Sequence, residues 1–243
     1  MSSKKIIEFS STIADRLESP VPTKKLVPDW FKKMPTWLDK IETFQDPTIK
    51  GCVPFLDTLT SGYLITNPFD VVFYRKEDFI YWKYPRDLPN FVDFAVDNLG
   101  IEYHNPNQIA PELVRDDEEH IPFKFLNPWK VTTPKNYSCL FTNPFNSPNR
   151  EIRIIDGIVD TDVFRNQINF PFFIKKLNPE KSFVLKKGYP IALVFPFLRN
   201  HWKMETKKFE KKDIESLWAS SFKLFNTLSN RYREKIWNKK NYD

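Results

Sequence analysis

Short apolar and polar runs alternate along the chain, and the period of that alternation assigns most of its elements. After a polar start, Ile6–Phe9 reads as a short strand. Pro20 and Pro22 hold the next stretch extended, and Pro28 opens a one- to two-turn helix over Asp29–Met34, where a missing backbone donor costs nothing. Trp30, Phe31, Met34 and Trp37 recur at spacings of three and four, so one face of this segment must bury against the body or against a partner chain. In Cys52–Tyr63 the residues Phe55, Leu59 and Tyr63 recur every four positions, which predicts a helix after Pro54 that Gly62 ends. Asp70–Arg75 alternates as a strand, Lys76-Glu77-Asp78 turns, and Phe79–Tyr84 returns as the second arm of a hairpin. Phe91–Ile101 supplies one or two further strands.

From Pro122 onward the period is two. Trp129–Thr133 and Tyr137–Thr142 flank the turn Pro134-Lys135-Asn136. Ile152–Ile155, Gln167–Ile174, Phe183–Leu185 and Ile191–Leu198 follow at the spacing of about 8–12 residues typical of a sandwich or barrel. Helical period returns at the end, where Ile214, Trp218, Phe225, Leu228, Tyr232 and Ile236 form an apolar stripe within Asp213–Asn238. The expected fold class is mainly β: an antiparallel β-clip or sandwich or jelly-roll-like domain over residues 51–204. An extended aromatic N-terminal arm with a short helix (1–50) precedes it and a long basic C-terminal helix (205–243) follows, the whole forming a single folding unit.

Composition sharpens this picture in three places. With 20 Pro against 5 Gly, the connections are expected to be long and extended. The net charge of +6 is concentrated late, where Glu205–Asp243 carries ten Lys or Arg against six Asp or Glu. Such a tail offers a surface to anions, and a solvated helix face accounts for it as well. No recognisable nucleic-acid module accompanies it, so nucleic acid is not an expected partner. The N-terminus lacks an apolar core segment and no run approaches a membrane span of about 18 residues, which places the chain in the cytoplasm. Cys52 and Cys139 are then expected to be buried thiols rather than a disulfide.

Candidate chemistry is sparse. His104, His120 and His201 are far apart and no Cys-x-x-Cys or His-x-His unit exists, so no metal site is expected. A non-haem Fe(II) site would need two of those histidines and a carboxylate to converge. The segment richest in chemistry is Asp156-Gly157-Ile158-Val159-Asp160-Thr161-Asp162-Val163-Phe164-Arg165. On a strand, Asp160 and Asp162 would share a face, and like charges that close can raise one pKa and leave a general base. An acidic turn at a strand end, capping local backbone donors, explains the same residues. Arg150, Arg153 and Arg165 are the nearby cations. Asp160 and Asp162 are thus the candidate catalytic pair; Phe164, Arg165, Arg153 and Trp129 are the candidate binding residues.

Gly157-Ile158-Val159-Asp160-Thr161-Asp162 is similar to the Gly-Val-Ile-Asp-x-Asp hairpin of the dUTP pyrophosphatases and dCTP deaminases. Leu185-Lys186-Lys187-Gly188-Tyr189-Pro190-Ile191-Ala192-Leu193-Val194 is similar to a later strand of the same β-clip families, so the resemblance covers about residues 137–199. It implies that Asp160 holds an attacking water, that Phe164 closes over a deoxyribose, and that Mg²⁺ is required. The sequence departs from that pattern at Val163-Phe164-Arg165-Asn166, at Tyr189 and at Leu193, and has no closing Gly-rich segment.

Over the whole chain, Pro28-Asp29-Trp30-Phe31, Thr48–Asp57, Asn127-Pro128-Trp129 and Ile168–Phe172 resemble a family of uncharacterised proteins of marine T4-like phages and some bacteria. The leading functional expectation is therefore a non-enzymatic phage-type binding or structural protein, without cofactor, acting through its β domain and aromatic arm. Its partner would be another protein or its own copy, in the host-cell cytoplasm or the virion. The alternatives are a dUTPase- or dCTP deaminase-like nucleotide hydrolase using Asp160, and a non-haem Fe(II) oxygenase.

Overall fold

The computed structural model describes residues 5–38, 47–84, 98–148, 150–179, 181–225 and 232–243. The architecture is mainly β, and every strand pair is antiparallel. Two compact units make up the chain. Met1–Leu26 with Thr60–Arg199 and Tyr242 forms a β unit, and Val27–Leu59 with Asn200–Asn241 and Asp243 forms a helical one.

The strands of the β unit are β1 (Glu8–Ser10), β2 (Val21–Pro22), β3 (Tyr63–Thr66), β4 (Val71–Lys76), β5 (Phe79–Lys83), β6 (Gly100–Tyr103), β7 (Phe123–Leu126), β8 (Lys130–Thr132), β9 (Tyr137–Thr142), β10 (Ile152–Ile154), β11 (Gly157–Val159), β12 (Phe170–Ile174), β13 (Ser182–Leu185) and β14 (Pro190–Leu198). They form a five-stranded sheet in the order β11-β9-β14-β3-β2, a four-stranded sheet β10-β12-β7-β6, a three-stranded sheet β13-β4-β5, and the pair β1-β8. The alternation of apolar residues explains most of these elements. In β4, Val71 and Phe73 are buried while Val72 and Tyr74 lie on the other face, partly exposed. β14 breaks the alternation: Ile191, Ala192, Leu193 and Val194 are all buried, which is why it reads as one continuous apolar run. β3 went unanticipated for the same reason, since Leu64 and Ile65 are adjacent and both buried.

Phenylalanine dominates the core. Phe73 of β4, Phe123 of β7 and Phe172 of β12 meet edge-on or stacked with centroids 5.6–6.3 Å apart, and each is fully buried. Trp129, expected to bind a ligand, belongs to this core with 4% of its surface exposed. Its neighbour Asn127 is wholly buried and satisfied: the amide donates to the carbonyls of Trp129 and Ile168, and its oxygen accepts from the Trp129 amide. Asn169 accepts from the backbone of Asn127, so the Asn-Pro-Trp and Ile-Asn-Phe segments form one polar seam.

A second buried asparagine joins two corners. Asn67 lies in the connection from β3 to β4, and its backbone pairs with Tyr189 and Gly188 in the connection from β13 to β14. Its side-chain amide donates to the carbonyls of Leu185, Lys186 and Phe69. Asp70 completes the corner by accepting from the Lys187 amide at 2.7 Å and from Lys186 Nζ at 3.0 Å.

In the helical unit, α1 (Asp29–Lys33) follows Pro28, and α2 (Val53–Thr60) ends before Gly62 as expected. Gly62 itself has φ +88°, and a Cβ there would meet the Val194 carbonyl at 2.7 Å. Lys50 donates to the carbonyls of Lys32 and Met34, both at 2.8 Å, placing a cation on the C-terminal end of α1. Phe31 packs on Phe55 and is buried, whereas Trp30 and Trp37 remain 37% and 45% exposed. Asp57 of α2 accepts from Trp237 Nε1 and Lys240 Nζ, tying in the C-terminal segment.

The terminal helix is shorter than expected. α3 spans Lys211–Phe225, a separate π-helical turn covers Tyr232–Ile236, and Leu228 lies outside the described residues. Of the stripe read in the sequence, Ile214, Trp218, Tyr232 and Ile236 are exposed rather than packed against protein, Trp218 by 73%, and Leu217 and Phe222 join them at the surface. Among the described residues no helix is long and apolar enough to cross a membrane.

Candidate functional site

The two carboxylates singled out in the sequence do come together, in a turn rather than on a strand. β11 ends at Val159, and the amides of Val163 and Phe164 fold back onto the Asp160 carbonyl at 3.0 and 2.9 Å. Both side chains converge on Arg199, the residue after β14. Arg199 binds Asp162 in bidentate fashion, Nη1 to Oδ1 at 2.8 Å and Nη2 to Oδ2 at 2.5 Å, and pairs with Asp160 Oδ1 at 3.0 Å. The Ser138 hydroxyl donates to Asp160 at 2.7 Å, and the Asn136 amide to Asp162 at 2.8 Å. Between them Thr161 is buried, its hydroxyl 2.7 Å from that of Thr133 and 3.4 Å from Cys139 Sγ.

The electrostatics run opposite to the like-charge expectation. The Ser138 hydroxyl and then the Arg199 guanidinium hold the Asp160 carboxyl below the ordinary carboxylate range. Arg199 does the same for Asp162, whose side chain is only 5% exposed. A nearby cation outweighs the second carboxylate because it hydrogen-bonds both charged forms. Asp162 is thus an anion fixed through both oxygens and Asp160 one held through Oδ1, and each is a poor proton acceptor near neutral pH.

The other predicted cations divide. Arg153 on β10 is a half-buried structural residue. Its guanidinium forks onto Glu118 with two bonds of 2.6 Å, donates to the Leu113 carbonyl, and lies over the Phe173 ring. Arg75 on β4 bonds both carboxylate oxygens of the adjacent Glu119 through Nη2, at 2.6 and 2.7 Å, so each of the two buried glutamates is paired with an arginine. Arg150 is held by the carbonyls of Ile152, Pro190 and Ile191 and faces the Tyr189 ring. Phe164, 39% exposed, and Arg165 are at the surface beside the acidic turn, together with Ile158 and Val163.

A concave surface of about 360 Å³ opens elsewhere in the β unit, under the connection from β6 to β7. Its walls are Pro106, Ile109, Pro111, Val114 and Phe173, with Arg115, His120 and Lys176 at the polar side. The Arg153–Glu118 pair braces it: Glu118 accepts from the Arg115 amide and Arg153 bonds Leu113. His104 sits nearby in sequence; burial and then Lys124 lower its pKa, favouring the neutral imidazole. Among the described residues, no three His, Cys, Asp or Glu side chains group as ligands for a metal ion. Cys52 and Cys139 are both free thiols; Cys139 is buried as expected, and Cys52 is exposed.

Sequence reasoning missed Arg199 and Ser138. Both lie far along the chain from the acidic turn, and only the register of β14 on β9, with Leu198 opposite Tyr137, brings them to it. Neither a protein-family model nor a curated protein matches the chain.

Proposed function

We propose that the chain is a non-enzymatic binding or structural protein of the phage type, working through protein–protein contact, with its own copy as the first partner. The observation that carries this reading is the exposed stripe of α3. Ile214, Leu217, Trp218 and Phe222 are 43–73% exposed on one helix, and apolar surface of that kind marks interaction sites. An isolated helix of 15 residues is marginal in water, so a partner's packing would stabilise it. Two pairings support a jelly-roll reading of the β unit over the β-clip alternative. Consecutive strands β3 and β4 pair with consecutive strands β14 and β13, the arrangement of a hairpin rolled on itself.

The nucleotide-hydrolase alternative rests on the order of residues from Gly157 to Asp162. Against it stands the engagement of Asp160 and Asp162 by Arg199. Sedimentation velocity of the full chain is expected to show a concentration-dependent larger species that Trp218→Lys and Phe222→Lys abolish. Magnesium-dependent pyrophosphate release from dUTP or dCTP, lost in Asp160→Asn, would overturn the binding-protein reading.

A further inference from the structure

The solvated face of an antiparallel sheet is ordinarily polar. The outer face of β13-β4-β5 is not. Three strands place Val72 and Tyr74, Phe79 and Tyr81, and Val184 on it, while the inner face takes Phe73, Ile80 and Leu185 into the core. Register sets the rows: Tyr74 lies opposite Tyr81 and Ser182, and Val72 opposite Lys83 and Val184. Tyr74 and Tyr81 stack with centroids 5.9 Å apart and planes inclined by 25°, and Lys83 Nζ stands 5.8 Å over the Tyr74 ring. Phe79 keeps 54% of its surface exposed and Tyr81 39%. The charges bordering these rings are the exposed Lys76 and Lys83, with Glu77 and Asp78 confined to the turn between β4 and β5 and Asp70 paired with Lys186 at the far end of β4.

We propose that this sheet face is a stacking platform for single-stranded nucleic acid. Flat, exposed rings between lysines match a ligand that is itself a row of flat rings on a polyanionic backbone. Spacing agrees. Residues two apart on a strand stand about 7 Å apart, roughly twice the 3.4 Å rise of a stacked nucleotide strand. Phe79 and Tyr81 therefore take neighbouring bases of an extended strand, and the Tyr74–Tyr81 stack continues the platform onto β4. Lys76 and Lys83, at either end of the aromatic rows, reach the phosphates. A neutral sugar would leave the lysines without a role, and an apolar peptide would leave them desolvated. No base edge is read by a ring face, so binding is tolerant of sequence.

Fluorescence anisotropy of the full chain with labelled dT12, rU12 and a 12-base-pair duplex tests this at 50 and 200 mM KCl. Either single strand is expected to bind in preference to the duplex, and the affinity to fall with salt. Phe79→Ser and Tyr81→Ser are each expected to weaken binding at least fivefold with far-UV circular dichroism unchanged. The double substitution Lys76→Gln, Lys83→Gln leaves the rings in place and should flatten the salt dependence, by about 0.7 in log–log slope per lost phosphate contact. The dT12 and rU12 arms separate a DNA from an RNA ligand, and binding of either supports the platform. Absence of salt-dependent binding to both strands overturns it. So does binding that Phe79→Ser and Tyr81→Ser leave intact, or a loss of self-association in those two variants, which would assign the face to a second copy.

Discussion

A carboxylate serves as a general base when its lone pairs are open to a substrate proton and its pKa lies near the working pH. Asp160 and Asp162 both fail on pKa, and Asp162 on access as well, since Arg199 and the Asn136 amide occupy its two oxygens, whereas Asp160 is held through Oδ1 by Ser138 and Arg199. Replacing Arg199 by Met is expected to return both carboxyls toward the ordinary range and to lower the thermal midpoint. Carboxyl-carbon NMR titration reads the first effect directly, and an unchanged Asp162 titration would show that Arg199 is not its cause. Arg199→Lys should restore Asp162 only in part, since an ammonium cannot form the two parallel bonds. The sequence showed the acidic pair but gave its electrostatics the wrong sign: spacing reveals the charges near in chain, not the cation delivered by a strand 37 residues after Asp162. Thiols follow the same logic. Burial raises the Cys139 pKa to about 11, partly offset by the Thr161 hydroxyl, while Cys52 is exposed. A thiol reagent at pH 8 is therefore expected to modify Cys52 in the native chain and Cys139 only after unfolding.

At the scale of elements, hydrophobic period located nearly every strand from β8 to β14, and β9 matches its expected limits, Tyr137–Thr142. Period failed where two faces are buried at once, as in β3, and it could not order the strands. Pairing between chain-distant partners depends on corners, and Asn67 is the side chain that fixes one. Truncating Asn67 to Ala leaves the Leu185 and Lys186 carbonyls without their donor inside the corner. A cost of about 1–3 kcal/mol is expected, read as a lower urea midpoint with an unchanged slope. Asn67→Asp tests the polarity of the contact: an acceptor in place of a donor must destabilise as much as Ala or more. The α3 stripe shows the opposite limit of period. Its apolar spacing was legible, but a stripe records only that a face is apolar, not whether this chain covers it.

For the molecule as a whole, pH dependence gathers these local effects. Asp70, Asp160 and Asp162 all titrate below their ordinary value of 3.8 in the folded chain, Asp70 because of the Lys187 amide and Lys186. Groups depressed by folding stabilise above the unfolded value and lose that contribution as pH falls through the folded ones. Thermal midpoints are thus expected to hold from about pH 5 upward with respect to these groups and to fall below pH 3.8. The variant Asp70→Asn, Asp160→Asn, Asp162→Asn should start lower and lose less on acidification. Cys139 acts on the alkaline side, where a folded value raised to about 11 means stability declines as pH climbs from about 9; Cys139→Ala should flatten that limb. Arg199 has one more consequence, a mechanical one. It closes the Thr60–Arg199 stretch of the β unit, and its backbone bonds Asn136 while its guanidinium grips Asp162. A pull applied at Arg199 and directed along β14 loads the two strands that flank it, β9 and β3. Ladder bonds lie across the strand direction, so such a pull shears them all together instead of opening them one at a time, and β14 yields only when both of its ladders give way.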